Sequence, residues 1–401
     1  MLGWDVLHET NWGRLFHAYG VAEDTPGHLR NLTSELASQR KAALAHLDSA
    51  VLHQGTIYSV TPAAVRVIAG VLRDPILREP LGRKTVTLTK AITFLGDVGS
   101  SLNGIQTPDP LPQPSEAELD ELILHLRSDE EGEDDEGWGS PLITVLMCQA
   151  VLSLHEMTSD VLNAIAPFVS DEMFDVRQEA INAVAEWGAL QPNSADSEAV
   201  AEIIRERLGG PINRDERAGL VLALGTLGRD VSGWLEDRDE AVRACAALFV
   251  ADERANFILI AALAHPDKVN TWFKRRPPFF PEHTRITLLE KLIARNVKVE
   301  QWLPAALALI ADSKGGLLAD YEWGPILEVA FPKEAASFKP GKRPPLPEHL
   351  TSDQHAILKG LVANQNLWDP RDGNAHLARM KVGLSDIREE VAAYVRDTPV
   401  V

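Results

Sequence analysis

The sequence predicts an all-α chain, a superhelical solenoid of stacked antiparallel helix pairs, and three observations carry that expectation. The chain has 401 residues, 45% of them hydrophobic and 24% charged, which is globular in composition and longer than one compact core ordinarily needs. Apolar residues recur at i, i+3, i+4 and i+7 along most of it, whereas the period-2 alternation of strands is scarce. A segment around residue 177 returns about forty residues later, a period typical of repeat arrays. Short helices bury one face each, so stacking successive pairs covers every apolar face except those at the ends.

From the amino terminus onward, helix starts are marked by Ser34 before Glu35, by Thr61-Pro62, by Ser140-Pro141 and by Thr351-Ser352. His53-Gln54-Gly55-Thr56-Ile57-Tyr58 falls between two early helices. It reads as a turn in which Gly55 supplies a positive φ and the polar side chains bond to nearby backbone, although the same residues would suit a polar site. Gly96, Gly188, Gly228 and Gly360 are expected to close helices. Residues 99–114, rich in Ser, Gly and Pro, read as a loop. Residues 128–137 then place seven carboxylates in ten positions, an acidic loop near 128–140 that ends on Trp138 and is held out by mutual repulsion. Asp129, Glu131 and Glu133 alternate, but no glutamate follows Gly132 at the distance a calcium loop requires. Leu142, Ile143, Val145, Leu146, Ala150, Val151 and Leu154 form the stripe of the next helix.

The repeat begins at Phe174. Asp175-Val176-Arg177-Gln178-Glu179-Ala180 runs on to Gly188, and Arg217 runs on to Gly228 with the same eleven-residue separation. Glu240-Ala241-Val242-Arg243-Ala244 restates the opening, and residues 39–44 and 83–96 read as degenerate earlier copies. The arginines are expected to satisfy carboxylates or helix-end carbonyls. Lys274-Arg275-Arg276-Pro277-Pro278-Phe279-Phe280-Pro281 reads as an exposed crossover, though basic and aromatic residues together also suit stacking on single-stranded nucleic acid. Residues 331–350, with five prolines, read as a linker, so that residues 1–350 form the array and 351–401 a helical cap.

The Asp-x-Val-Arg-x-x-Ala pattern at a period near 40 resembles the HEAT-repeat family, including its PBS-lyase-like branch. That resemblance implies a right-handed superhelix whose second helices line a concave face. Trp12-Gly13-Arg14-Leu15-Phe16-His17-Ala18-Tyr19-Gly20, the 53–58 turn and Leu367-Trp368-Asp369-Pro370-Arg371-Asp372-Gly373-Asn374 are similar to segments of bacterial HEAT-repeat proteins, which implies fold and bacterial origin but no activity.

Charge narrows the function further. Lys plus Arg number 39 against 58 Asp plus Glu, a formal charge of −19, which argues against general nucleic-acid binding. The charge is polarised: residues 1–264 carry 41 acidic and 20 basic side chains, and residues 265–350 carry 10 and 13. Two cysteines, Cys148 and Cys245, are too few for a disulfide framework or a Cys-rich zinc site. The first residues carry no secretory signal and no apolar run is long enough to span a membrane, so a cytoplasmic protein is expected. Hydrolase, phosphate-loop and dinucleotide fingerprints are absent, and His8 and His17 would need the fold to bring them together. The expectation is therefore a non-enzymatic solenoid without cofactor or metal that binds a basic protein, as a scaffold, assembly factor or immunity-type inhibitor. Its contact residues would be Asp134, Asp135, Glu136 and Trp138, with Arg275 and Arg276 on the basic segment. The alternative is a DNA-repair or nucleotide-handling enzyme resembling the alkylpurine DNA glycosylases, in which Trp187, Trp234 and Trp272 would flank a base.

Overall fold

The computed structural model describes residues 2–82, 85–109, 111–128, 138–280, 283–316 and 319–401. The described chain is mostly helical. After α1 (Trp4–Glu9), the hairpin of β1 (Phe16–His17) and β2 (Gly20–Val21) is the one sheet among the described residues. There follow α2 (Thr25–Asn31), α3 (Ala37–His46), α4 (Thr61–Val71), α5 (Thr87–Asn103), α6 (Glu116–Ser128), α7 (Pro141–Glu156), α8 (Thr158–Ile165), α9 (Phe174–Ala189), α10 (Ala195–Leu208) and α11 (Arg214–Thr226). The remaining helices are α12 (Glu240–Ala247), α13 (Glu253–Leu263), α14 (Pro266–Asn270), α15 (Thr284–Ala294), α16 (Val299–Asp312), α17 (Trp323–Ala330), α18 (Pro332–Ser337), α19 (Ser352–Ala363), α20 (Gly373–Lys381) and α21 (Arg388–Asp397). Among the described residues no single helix is long and apolar enough to cross a membrane. The chain divides into two compact units, one of residues 1–212 and 222–229, the other of residues 213–221 and 230–401.

In the first unit two of the start signals lie where the sequence puts them, whereas α3 begins at Ala37 behind Leu36 and not at Ser34–Glu35. Ser140 caps α7 by accepting from the Leu142 N–H, and Pro62 occupies the first turn of α4. The unit's core is built on α5 and α9. Positions 96 and 99 of α5 meet 182–183 and 186–187 of α9, so the two helices run parallel, side by side. Trp187 is fully buried there and its Nε1 donates to the Leu95 carbonyl at 2.7 Å. Gly96 is consequently inside a helix, not at its end, and α5 continues through Gly99 to Asn103, where a loop was expected. Close packing on α9 overrides the local preference of Gly-Ser-Ser for a turn. Gly188 is also helical; a Cβ there would lie 2.3 Å from Leu227 Cδ2, so the glycine admits the neighbouring leucine. Gly228 does end α11, at φ 71°, with the Arg229 N–H donating to the Leu224 carbonyl.

The arginines singled out in the sequence share a place in their helices, and two of the three share a mode of bonding. Arg177, Arg217 and Arg243 each stand fourth in their helices α9, α11 and α12, as Arg40 does in α3. Arg40 donates to the carbonyls of Ser34 and Glu35, Arg177 to those of Asp171 and Glu172, and Arg243 to that of Asp237. Each of these three arginines thus closes the turn that enters its own helix. Arg217 reaches instead to the Asp237 carboxylate, at 2.7 Å. Asp171 is held in the same manner as Asp237: its side chain accepts the N–H of residue i+2 and an arginine from another helix turn, here Arg78. The early copy at 83–96 begins with Arg83 and Lys84, which lie outside the described residues.

In the second unit, the largest side chains of the interior are Trp302, Trp323 and Phe331, with Arg379 fully buried against the Trp323 and Trp368 rings. Arg285 forms a buried ion pair with Glu322 and a second pair with Asp312. Thr351 and Gln354 make a reciprocal capping box at the start of α19. Gly360 is interior to α19, against Leu307, and so does not close a helix. Residues 331–350 differ from a free linker. They open with α18, the Pro347 carbonyl accepts from the Tyr394 hydroxyl at 2.7 Å, and Leu350 pairs with Val400. The segment is bonded to the last helix along its carboxy-terminal half.

Candidate functional site

Carboxylates of the turn after α3, of α5 and of α9 lie close together along a groove in the first unit. Asp48 stands in the turn Leu47–Val51 that ends α3. α5 presents Lys90, Thr93, Asp97 and Ser100–Ser101, spaced so that they share one helix face, and α9 presents Asp175, Glu179 and Glu186 in the same way. Because α5 and α9 run parallel in register, the two stripes lie next to each other. Glu179 is hydrogen-bonded to Thr93. Asn103 Nδ2 donates to Glu186 at both its carbonyl, 2.8 Å, and its Oε2, 3.0 Å. At one end Asp48, Leu52, Gly55, Asp97, Ser100 and Ser101 line an open cleft of about 410 Å³.

The electrostatics follow from crowding. Burial between the helices pushes the Glu179 carboxyl up to about 7 and the Asp97 carboxyl up to about 6, with Asp48 adding to the rise at Asp97. Burial likewise raises Asp48 and Glu186. Lys90 is the cation that offsets this at Asp48, Asp97 and Glu179. Asp97 is exposed at the open end and Glu179 is half-buried. Such a row of part-protonated carboxylates with one internal cation attracts ammonium or guanidinium groups, and repels phosphodiesters.

The residues singled out from the sequence are scattered relative to this groove. Asp134, Asp135 and Glu136 lie outside the described residues. Trp138 is half-buried, edge-on to Phe16 at 5.8 Å and to Tyr58 at 6.4 Å between ring centroids. Trp138 thus belongs to an aromatic cluster beside the amino-terminal hairpin. Arg275 and Arg276 are exposed, and the Arg275 N–H donates to the buried carboxylate of Asp215. Of the aromatics near them, Trp272 and Phe280 are buried, at 5% and 2% exposed, whereas Phe273 and Phe279 are half-buried. Trp187 is buried in the α5–α9 contact and Trp272 donates to Glu240 at 3.2 Å; these tryptophans are packing residues. The 53–58 turn is structural in its bonding. His53 Nδ1 lies 3.0 Å from the Ser49 carbonyl, and Gln54 and Gly55 both have positive φ.

Sequence reading missed Asp48, Asp97, Glu179 and Glu186 as a set. The spacing of Glu179 and Glu186 within the repeat was available as a signal. Their alignment with Asp97 was not, because it depends on the register of α5 against α9. Among the described residues, the grouping of metal-type donors is His17, Asp24 and His46, of which only His17 drew notice in the sequence. No protein-family model matches the chain, and no protein of curated function matches it.

Proposed function

We propose that this chain is a stack of HEAT-like helix pairs that binds a basic protein, with the carboxylate groove of α3, α5 and α9 as its contact surface. The observation that carries the reading is the row Asp48, Asp97, Glu179 and Glu186, set along one side of two parallel helices with Lys90 as its internal cation. Parallel packing of α5 and α9 is the relation expected between equivalent helices of neighbouring repeats, and the fourth-position arginines support the same equivalence. A lysine or arginine side chain entering the groove regains the attraction that crowding has stored there, since each carboxyl it meets is shifted back toward its charged form. The acidity of residues 1–264 adds long-range steering toward such a partner. The groove's sign disfavours the nucleic-acid-handling alternative.

The test is affinity capture from the native cell with the wild-type chain and with Asp97→Asn/Glu179→Gln, followed by binding measurements on the purified candidate. A basic protein whose affinity falls roughly tenfold or more in the double variant supports the reading. Equal binding by both chains, or a partner without a basic surface, overturns it.

A further inference from the structure

Three histidines and an aspartate meet in the first unit. His17 belongs to β1, Asp24 immediately precedes α2, His28 lies within α2, and His46 ends α3. His17 and His46 are buried, whereas the Asp24 side chain is 54% exposed, so the cluster opens to solvent on one side. His17 Nε2 lies 3.0 Å from Asp24 Oδ1, and His46 Nδ1 lies 3.8 Å from Asp24 Oδ2. All three donor groups fall within 4.8 Å of one another. Two details set the cluster apart from ordinary core histidines. Asp24 occupies the N-cap of α2 yet makes no capping bond, so its carboxylate serves the rings instead of the helix. His28 stacks face to face on His46, 4.1 Å between centroids, and its Nδ1 is buried without a hydrogen-bond partner. Buried polar atoms are nearly always satisfied; an orphaned nitrogen here marks a cluster that the protein's own side chains do not complete.

We propose that His17, Asp24 and His46 bind a divalent transition-metal ion, zinc being the best match, with the fourth position open to solvent. Two imidazoles and one carboxylate form a donor set suited to zinc and its neighbours, and unlike the all-oxygen shells of calcium or magnesium. A tetrahedral ion with bonds of about 2.1 Å needs its ligand atoms roughly 3.4 Å apart. The exposed Asp24 side chain is free to make most of that adjustment. His46 Nε2 stands 2.9 Å from Thr25 Oγ1, the outer contact that fixes the ring and leaves Nδ1 for the metal.

His17 imposes a condition. The Tyr19 N–H donates to its Nδ1 at 3.1 Å, so the neutral ring carries its proton on Nε2, facing Asp24. Coordination through Nε2 requires that proton to sit on Nδ1, and the Tyr19 amide then gives up its acceptor. Tyr19 is at the hairpin tip and 68% exposed, where the amide can turn to water. Metal uptake is thereby coupled to a local opening of the tip.

The test uses the full chain, stripped with chelator and titrated with zinc by calorimetry, with bound metal counted afterwards. One ion per chain is expected. Affinity should fall roughly 100-fold or more in Asp24→Asn and in His17→Gln, since loss of a ligand exceeds the effect of losing an outer contact. His53→Ala should bind as wild type. Asp24→Asn is the decisive variant, because its exposed side chain can change without disturbing the core, and far-UV circular dichroism checks that. Exchange of the Tyr19 amide should quicken on zinc binding. A folded wild-type chain that takes up no zinc overturns the proposal, as does uptake that Asp24→Asn leaves unchanged. Zinc bound with the Tyr19 amide still protected would remove His17 from the ligand set.

Discussion

Glu179 shows what burying a carboxyl between helices costs the fold. Its carboxyl titrates near 7 in the folded chain against 4.5 ordinarily, so between those values the native state holds a proton that the unfolded chain has lost. Stability from this group is complete below about pH 4.5 and declines as pH rises through 7. Glu179→Gln keeps the shape and the Thr93 contact without the charge. Thermal melts should show the variant more stable than wild type by about 1–2 kcal/mol at pH 8 and equal to it at pH 4. A variant less stable at pH 8 would mean that the carboxylate is held by an ion pair, contrary to its crowded surroundings. Gly188 illustrates the opposite constraint. Its replacement by Ala forces the buried Leu227 to move, and denaturant titration should register a loss of about 1–3 kcal/mol. The sequence marked Gly188 as a helix end because glycine is common there; its actual role, admitting Leu227, involves a residue thirty-nine positions away.

At the scale of the element, the arginines were legible and their partners were not. The spacing Arg177–Gly188 and Arg217–Gly228 picked out two helices that carry an arginine in the fourth position, as α3 and α12 also do. The bond it makes depends on the turn before the helix. Where that turn exposes carbonyls five and six residues back, as at Arg40 and Arg177, the guanidinium closes it; at Arg217 the acceptor is the Asp237 carboxylate. Arg243→Ala and Arg177→Ala should each cost about 1–3 kcal/mol, because the removed donor leaves part-buried carbonyls unsatisfied. Arg40→Ala should cost more than either, the residue being 2% exposed and its guanidinium bonded to Thr87 and Pro80 as well. Chemical denaturation of the three variants in parallel checks the order, and an Arg40 variant no worse than the others would contradict it.

For the molecule as a whole, charge acts at two ranges. On the proposed function the groove carboxylates are the contact, and the acidic excess of residues 1–264 steers the partner before it. Association with a basic partner should slow as salt rises, since exposed charges are screened beyond about 8 Å at physiological ionic strength. Neutralising Asp134, Asp135 and Glu136 together should lower the association rate and leave dissociation nearly unchanged. Asp97→Asn/Glu179→Gln should instead speed dissociation. Affinity should also rise from pH 5.5 to 8, because Asp97 and Glu179 shed their protons across that interval. Surface-plasmon kinetics over salt and pH separate these effects, and a partner whose binding ignores both would take electrostatics out of the mechanism.

By itself the sequence determined the helical class, the helix starts at Thr61, Ser140 and Thr351, the shared placement of the arginines and the acidic excess. Each is set by neighbours within a few residues, by periodicity along one helix or by a sum over the chain. The tertiary structure decided which polar residues share a face of the molecule. Asp48, Asp97 and Glu179 come together only through the packing of α5 beside α9 and the turn ending α3. His17, Asp24 and His46 meet only because the hairpin folds against α2 and α3. Residues that far apart leave no periodic trace, since their proximity is fixed by the register of apolar surfaces and not by any spacing along the chain.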